Sequence, residues 1–347
     1  QPRTAMNFPE IPGYTVERQL GSGGMASVYL AVQDTFGRLV ALKIMAQHLA
    51  PEPSFGVRFL REARIVARMS HRNFVPVFDV GRHGDLHYMS MEYLPNGDLR
   101  TLMQSGLPLD EALNIICDVA SGLHYAAGKN FVHRDIKPEN ILFREDNSPV
   151  ITDFGIARDT QAVTQMTVVG TVMGTPHYMS PEQARAEEID GRSDLYNLGV
   201  ITYEMLSGQV PYDAPSALAT SIKHVNDPIP LLPPKLAGFQ PFIDRAMAKQ
   251  PEDRFQNGEE MITALRRLQR VERAVIENTY VKCSTEREIS RPPTPLEQET
   301  QLVSATGDIA NGGRGAGADT GAHTLVGREE DHRDQVTVPL GQRRTTA

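Results

Sequence analysis

The stretch "HRDIKPEN", residues 133–140, crowds ionisable and amide side chains between an apolar "FV" and an apolar "ILF". A second acid, Asp153, follows in "ITDFGIAR", beyond a strand-like "VIT". Asp135, Asn140 and Asp153 are hard oxygen ligands or proton acceptors. Without a His or Cys cluster they suit Mg²⁺, which keeps waters and binds through one or two carboxylates plus substrate phosphates. The cation to match them is Lys43 in "VALKIM", where an alternation of two puts Ala41 and Lys43 on one strand face and Val40, Leu42 and Ile44 on the other. An ammonium among apolar neighbours needs a partner. Helical spacing in "SFGVRFLREARIVARM" sets Glu62 on a stripe with Phe59, Val66 and Met69, so a Lys43 to Glu62 ion pair is expected, whether structural or functional. The turn "GSGGMASV", residues 21–28, reads by itself equally well as a flexible β-turn. Beside a lysine and oxygen ligands it reads as a flap whose amides approach phosphate oxygens at Gly21 and Gly23. Together these groups make a site for moving a phosphoryl group.

The elements that must position them change character once. Short strands around tight turns ("YTVERQL", "SVYLAVQ", "LVALKIM"), one helix and two more strands ("VPVFDVG", "LHYMSMEYL") come first. After "PNGDL" a helical period takes over, with Leu113, Ile116, Ala120, Leu123 and Ala127 three or four residues apart. The expected architecture is α+β, a small mostly β lobe and a larger mostly α lobe with a cleft between them. Boundaries are expected at residues 1–13, an N-terminal segment that is flexible or in part not native; 14–95, the first lobe; 96–270, the second; and 271–347, a tail. The tail has no Phe or Trp and holds "RPPTP" and "NGGRGAGADTGA", so it is expected to be disordered or to act as a linker.

Composition narrows the partners. A formal net charge of -8 over 347 residues argues against general nucleic-acid binding, which needs a surplus of Lys and Arg on one face. Two cysteines, Cys117 and Cys283, make neither a disulfide framework nor a zinc cluster, and a reducing, cytoplasmic compartment is expected. The longest apolar-leaning stretch, "LYNLGVITYEML", carries Asn197 and Glu204 and is too short for a bilayer, so no span is expected in this chain.

In order, "GSGGMASV", "VALK", Glu62, "HRDIKPEN", "DFG", "SPE", "SDLYNLGV" and "PEDRF" resemble the motifs of a eukaryotic-like (Hanks-type) serine/threonine protein kinase of bacteria, over roughly residues 14–268. The resemblance implies the two-lobed kinase fold, ATP and Mg²⁺ with Mn²⁺ as an alternative ion, and protein substrates. It implies that Gly21, Gly23, Val28, Ala41 and Leu142 enclose the nucleotide, and that Lys43, positioned by Glu62, holds its α/β-phosphates. Met91 resembles the gatekeeper, with Glu92 to Leu94 as the adenine-reading hinge. Asp135 would accept or orient the substrate proton, Lys137 would sit near the transferred group, and Asn140 and Asp153 would bind the metal. Lys137 and Thr175 in "GTPHYMSPEQ" resemble the marks for Ser/Thr rather than Tyr substrates, and Glu182 and Arg254 the family's structural pair. Two departures stand out: Ala26 replaces the third flap glycine, and Asn197 stands where a Ser is usual.

The resemblance also implies control by phosphorylation. Thr164, Thr167 and Thr171 are candidate autophosphorylation sites in the loop before "SPE", with Arg134 as the receiving cation. Thr300 in "TQLV" resembles a phosphothreonine read by a forkhead-associated (FHA) domain, and an unselective linker reads the same. The chain further resembles the threonine kinase associated with type VI secretion, whose partner is an FHA protein. A second copy of the chain is a further candidate partner, and the parent protein could be tethered at the inner membrane. The competing class is a pseudokinase scaffold that binds nucleotide and recruits a partner through its tail, but such proteins usually lack one of Lys43, Asp135, Asn140 or Asp153.

Overall fold

The computed structural model describes residues 8–23, 26–45, 60, 63–153 and 176–283. Alternating, β-branched sequence forms β1 (Tyr14–Ser22), β2 (Ala26–Gln33), β3 (Arg38–Met45), β4 (Val77–His83) and β5 (Leu86–Glu92), one antiparallel sheet in the order β1-β2-β3-β5-β4. In β3 the alternation sorts the two faces. Val40, Leu42 and Ile44 join Ile11 and Ala31 in a small outer core, while Ala41 belongs to the large core shared with the helices. Lys43, on the Ala41 face, lies between Val28 of β2 and Met89 of β5 in register. Residues 60 and 63–66 are helical, and Val66 and Met69 pack into the large core. Phe59 and Glu62 lie outside the described residues.

The second lobe opens with α1 (Leu99–Ser105), whose N-cap Asp98 accepts from Thr101 N, then β6 (Leu107–Pro108) and α2 (Leu109–Ala127). Of the apolar stripe on α2, Leu113, Ile116, Ala120 and Leu123 are buried, while Ala127 is exposed at the end of the helix. β7 (Ile141–Phe143) and β8 (Pro149–Ile151) form a two-stranded ribbon. After them come α3 (Pro181–Arg185) and α4 (Gly191–Ser207). On α4 every residue from Ser193 to Leu206 is buried, the environment of a helix enclosed on all sides. α5 (Ala217–Asn226), α6 (Gln240–Ala246) and α7 (Gly258–Val271) close the lobe around it. Among the described residues no helix is long and apolar enough to cross a membrane.

Two boundaries differ from those the sequence suggests. Residues 8–13, expected outside the fold, cover the outer face of the sheet: Ile11 is 3% exposed and Phe8 packs edge-on against Tyr29. At the other end the folded unit runs past Arg270. α8 (Arg273–Glu277) and β9 (Tyr280–Val281) follow, with β9 paired antiparallel to β6 and Cys283 N donating to Met103 O at 2.9 Å. Composition reads residues 271–283 as tail because the segment from 271 onward has no Phe or Trp and a single Tyr. Ile276, Val281 and Cys283 nevertheless each fill a gap in the helical lobe and are buried. Residues 284–347, with Thr300, lie outside the described residues.

A chain ended at Arg270 is therefore expected to be less stable than one ended at Cys283, by on the order of 3 kcal/mol for the lost burial of Ile276 and Val281. Urea unfolding followed by circular dichroism measures the difference.

Candidate functional site

The two lobes enclose a cavity of about 450 Å³. Of the residues expected around a nucleotide, Gly21, Val28, Ala41, Met91, Glu92, Leu94 and Leu142 line it, as does Asp153. Val28 and Ala41 from the sheet and Leu142 from β7 supply apolar walls suited to a flat ring. The sequence reading missed Leu20, Val75, Asp98 and Thr152, which also line it. Thr152 was signalled by its place beside Asp153, whereas Val75 reaches the cavity only through the pairing of its segment with β8. Gly23 sits in the flap turn, its N–H donating to Ala26 O at 2.9 Å. The β1–β2 register shifts between Gln19 and Gly21, a bulge next to the cavity mouth. The hinge is held by Arg144, whose guanidinium spans both oxygens of Glu92 at 3.0 and 2.8 Å.

The acids are placed by backbone. Ile151 N donates to Asn73 O and Val75 N to Ile151 O, so β8 delivers Thr152 and Asp153 to the cleft from a fixed edge. Asp153 adopts a left-handed φ of 56° and accepts from Lys43 Nζ at 2.6 Å. That ammonium holds the carboxyl below the usual carboxylate range. Lys43 thus reaches across the cleft, and its expected partner Glu62 lies outside the described residues.

The catalytic-loop candidates stand close by. Lys137 Nζ is 3.4 Å from Asp135 Oδ2. Asn140 Nδ2 donates to Asp135 O at 2.7 Å and to Asp135 Oδ2 at 3.2 Å, which commits the amide nitrogen and presents Oδ1 as the ligating atom. One amide oxygen and one ionised carboxylate, Asn140 and Asp153, fit Mg²⁺ that takes the rest of its shell from phosphate and water. Among the described residues no group of three or more His, Cys, Asp or Glu is placed to hold a metal ion.

Behind them lies a supporting layer. His133 is fully buried, its Nε2 donating to Thr152 O at 2.9 Å, while Asp135 N donates to Nδ1 at 3.3 Å. Burial pushes its imidazole down to about 4, so the ring is neutral. From α4, Asp194 accepts the backbone N–H of His133 at 2.7 Å and of Arg134 at 2.9 Å. Burial pushes the Asp194 carboxyl up to about 7 against those two bonds, which favour its charged form. The motif "SDLYNLGV" contains Asp194, but nothing in its spacing showed what it would hold.

The substrate-loop end is fixed just as closely. Arg254 grips Glu182 through two bonds of 2.7 and 2.8 Å and also donates to the carbonyls of Ala248, Lys249 and Arg192. Ser193 Oγ gives Glu182 a further bond. Arg100 on α1 ties Glu139 of "KPEN" to Glu204 of α4, and the Tyr178 hydroxyl accepts from Arg100 and donates to Glu204. Thr164, Thr167, Thr171 and Thr175 lie outside the described residues.

A β lobe, a helical lobe, and a cleft holding a lysine, an acid pair and an amide define a nucleotide-dependent phosphotransferase. A model of the protein kinase domain matches residues 14–272, and the chain belongs to that family. Serine/threonine-protein kinase PknB of Mycobacterium leprae is 38% identical over 253 residues, which cover 70% of this chain and 40% of that protein. PrkC of Bacillus subtilis is 37% identical, covering 72% of this chain and 39% of that protein. A crystal structure of the Mycobacterium tuberculosis PknI kinase domain aligns with a TM-score of 0.60 at 29% identity, covering 75% of this chain and 97% of that one. The chain spans about two fifths of the length of these curated relatives.

Arg254→Met leaves Glu182 charged and buried without its partner, and is expected to cost roughly 3 to 5 kcal/mol of stability, read from the urea midpoint. For His133 the folded value lies below the unfolded one. Its contribution to stability is therefore fully present above about pH 6.5 and is lost as pH falls through about 4. An NMR titration should find this ring still neutral at about pH 5, where an exposed histidine is protonated.

Proposed function

We propose that this chain is an active Mg·ATP-dependent serine/threonine protein kinase of bacterial signalling, moving the γ-phosphoryl group of ATP to Ser or Thr hydroxyls of proteins. The observation that carries this reading is the direct contact of Lys43 with Asp153, which lines the cavity, with Asp135, Lys137 and Asn140 within bonding reach of one another. The apolar walls at Val28, Ala41 and Leu142 would take the adenine, and backbone at Glu92 to Leu94 its polar edge. Asp135 would accept the hydroxyl proton as the substrate oxygen bonds to the γ-phosphorus. The bond from that phosphorus to the bridging oxygen breaks, and ADP leaves with the electron pair. Lys137, beside Asp135, would offset charge on the moving group. Asn140 and Asp153 would hold a divalent ion, which would supply charge neutralisation to the phosphates.

We further propose autophosphorylation among Thr164, Thr167 and Thr171 as the activating event, with Arg134 receiving the phosphate. Its guanidinium Nε is buried with no hydrogen-bond partner among the described residues. On the tail, phosphorylated Thr300 in "TQLV" would recruit an FHA-domain protein on the cytoplasmic side. Against the scaffold reading stands the complete set Lys43, Asp135, Asn140 and Asp153.

With labelled ATP and Mg²⁺ the unaltered chain is expected to label itself and a generic basic protein. Asp135→Asn should be slower by about 10² to 10³. Peptide mapping should place the label on the named threonines. Equal labelling by both forms, or by neither, would contradict the catalytic role of Asp135.

A further inference from the structure

Asn197, the departure from the family's usual Ser, lies on α4 and is 2% exposed. Its Nδ2 donates to two acceptors at once, the Tyr178 carbonyl and Gln183 Oε1, the latter at 3.3 Å. Both are oxygens, so the amide can point only its nitrogen at them, and its Oδ1 is buried with no donor among the described residues. Gln183 carries the connection onward. Its Oε1 accepts from Ser180 N at 2.9 Å, and its Nε2 donates to Arg134 O, in the catalytic loop, at 2.8 Å.

We propose that Asn197 is a positioning residue: with Gln183 it latches the substrate loop at Tyr178–Ser180 to the catalytic loop at Arg134. This rests on the kinase reading above. The same face of α4 carries Asp194 one turn before Asn197 and Glu204 two turns after it. Asp194 holds the His133 and Arg134 amides, Asn197 the Tyr178 carbonyl, and Glu204 the Tyr178 hydroxyl. One rigid helix thus sets the distance between the residue that would activate the hydroxyl and the loop that would seat the substrate chain. A Ser at 197 has a single hydroxyl proton and serves one acceptor, whereas the amide has two N–H groups and serves both. The second bond ties the loop through Gln183 to the catalytic backbone, and it is built from unmodified residues.

The test compares the unaltered chain with Asn197→Ala and Asn197→Ser, using myelin basic protein as the probe substrate. Asn197→Ala is expected to raise KM for the protein substrate about tenfold, as the loss of one to two buried hydrogen bonds allows, with KM for ATP unchanged. Asn197→Ser, retaining one bond, should fall between. Hydrogen exchange provides a reading that needs no turnover: amides of residues 176–183 should exchange faster in Asn197→Ala while those of β3 and β5 do not change. An unchanged protein KM, or KM values for ATP and protein that rise together, would overturn the proposal, as would unchanged exchange at 176–183. An unaltered chain that exchanges as expected but transfers no phosphate would instead overturn the kinase reading.

Discussion

Asp194 holds two successive backbone amides, those of His133 and Arg134, from within a helix that is buried on every side. Arg134 sits at a φ of 67°, a region that a residue with a side chain enters at a cost of order 1 kcal/mol or more. The turn stays there because the Asp194 bonds fix the peptide amides on either side of His133, and Gln183 bonds the Arg134 carbonyl. The resulting turn brings the Asp135 side chain within bonding reach of Lys137 and Asn140. If the two amide bonds were lost, the acid, the lysine beside it and the amide after it would lose their common origin.

Charge is handled by pairing. Lys43 and Asp153 meet across the cleft, Asp135 and Lys137 meet within one loop, and Glu182 with Arg254 is sealed by further bonds from backbone and Ser193. A buried pair of this kind adds little net stability over an apolar one, but breaking it leaves an uncompensated charge, so it makes one arrangement far cheaper than its neighbours. The Lys43–Asp153 and Asp135–Lys137 pairs are partly exposed. Glu182 and Arg254 are not, and they serve the fold alone. Neutral groups complete the set: His133, kept uncharged by burial, fixes Thr152 and through it the approach of Asp153.

Much of this was legible in the order of residues. The alternation in "VALKIM" placed Lys43 on the Ala41 face, and the helical spacing of Leu113, Ile116, Ala120 and Leu123 gave the buried stripe of α2, because periods of two and of about 3.6 are local properties of the backbone. The kinds of atoms at positions 135, 140 and 153 limited the chemistry to hard ligands and proton acceptors. Local pattern also had clear blind spots. It assigned residues 8–13 and 271–283 to flexible ends, since a short segment outside the long periodic runs shows its buried side only where a surface awaits it, as for Ile11 and Ile276.

The sequence alone thus determined the element types, the inventory of candidate site atoms and the family, all of which depend on residue identity and short-range spacing. Tertiary structure decided which atoms meet: Lys43 with Asp153, Asp194 with the catalytic loop, Arg254 with Glu182, and Asn197 with Tyr178. Each of these joins segments far apart in the chain. Such contacts are set by how buried helices and strands pack, and spacing along a sequence carries no measure of that distance.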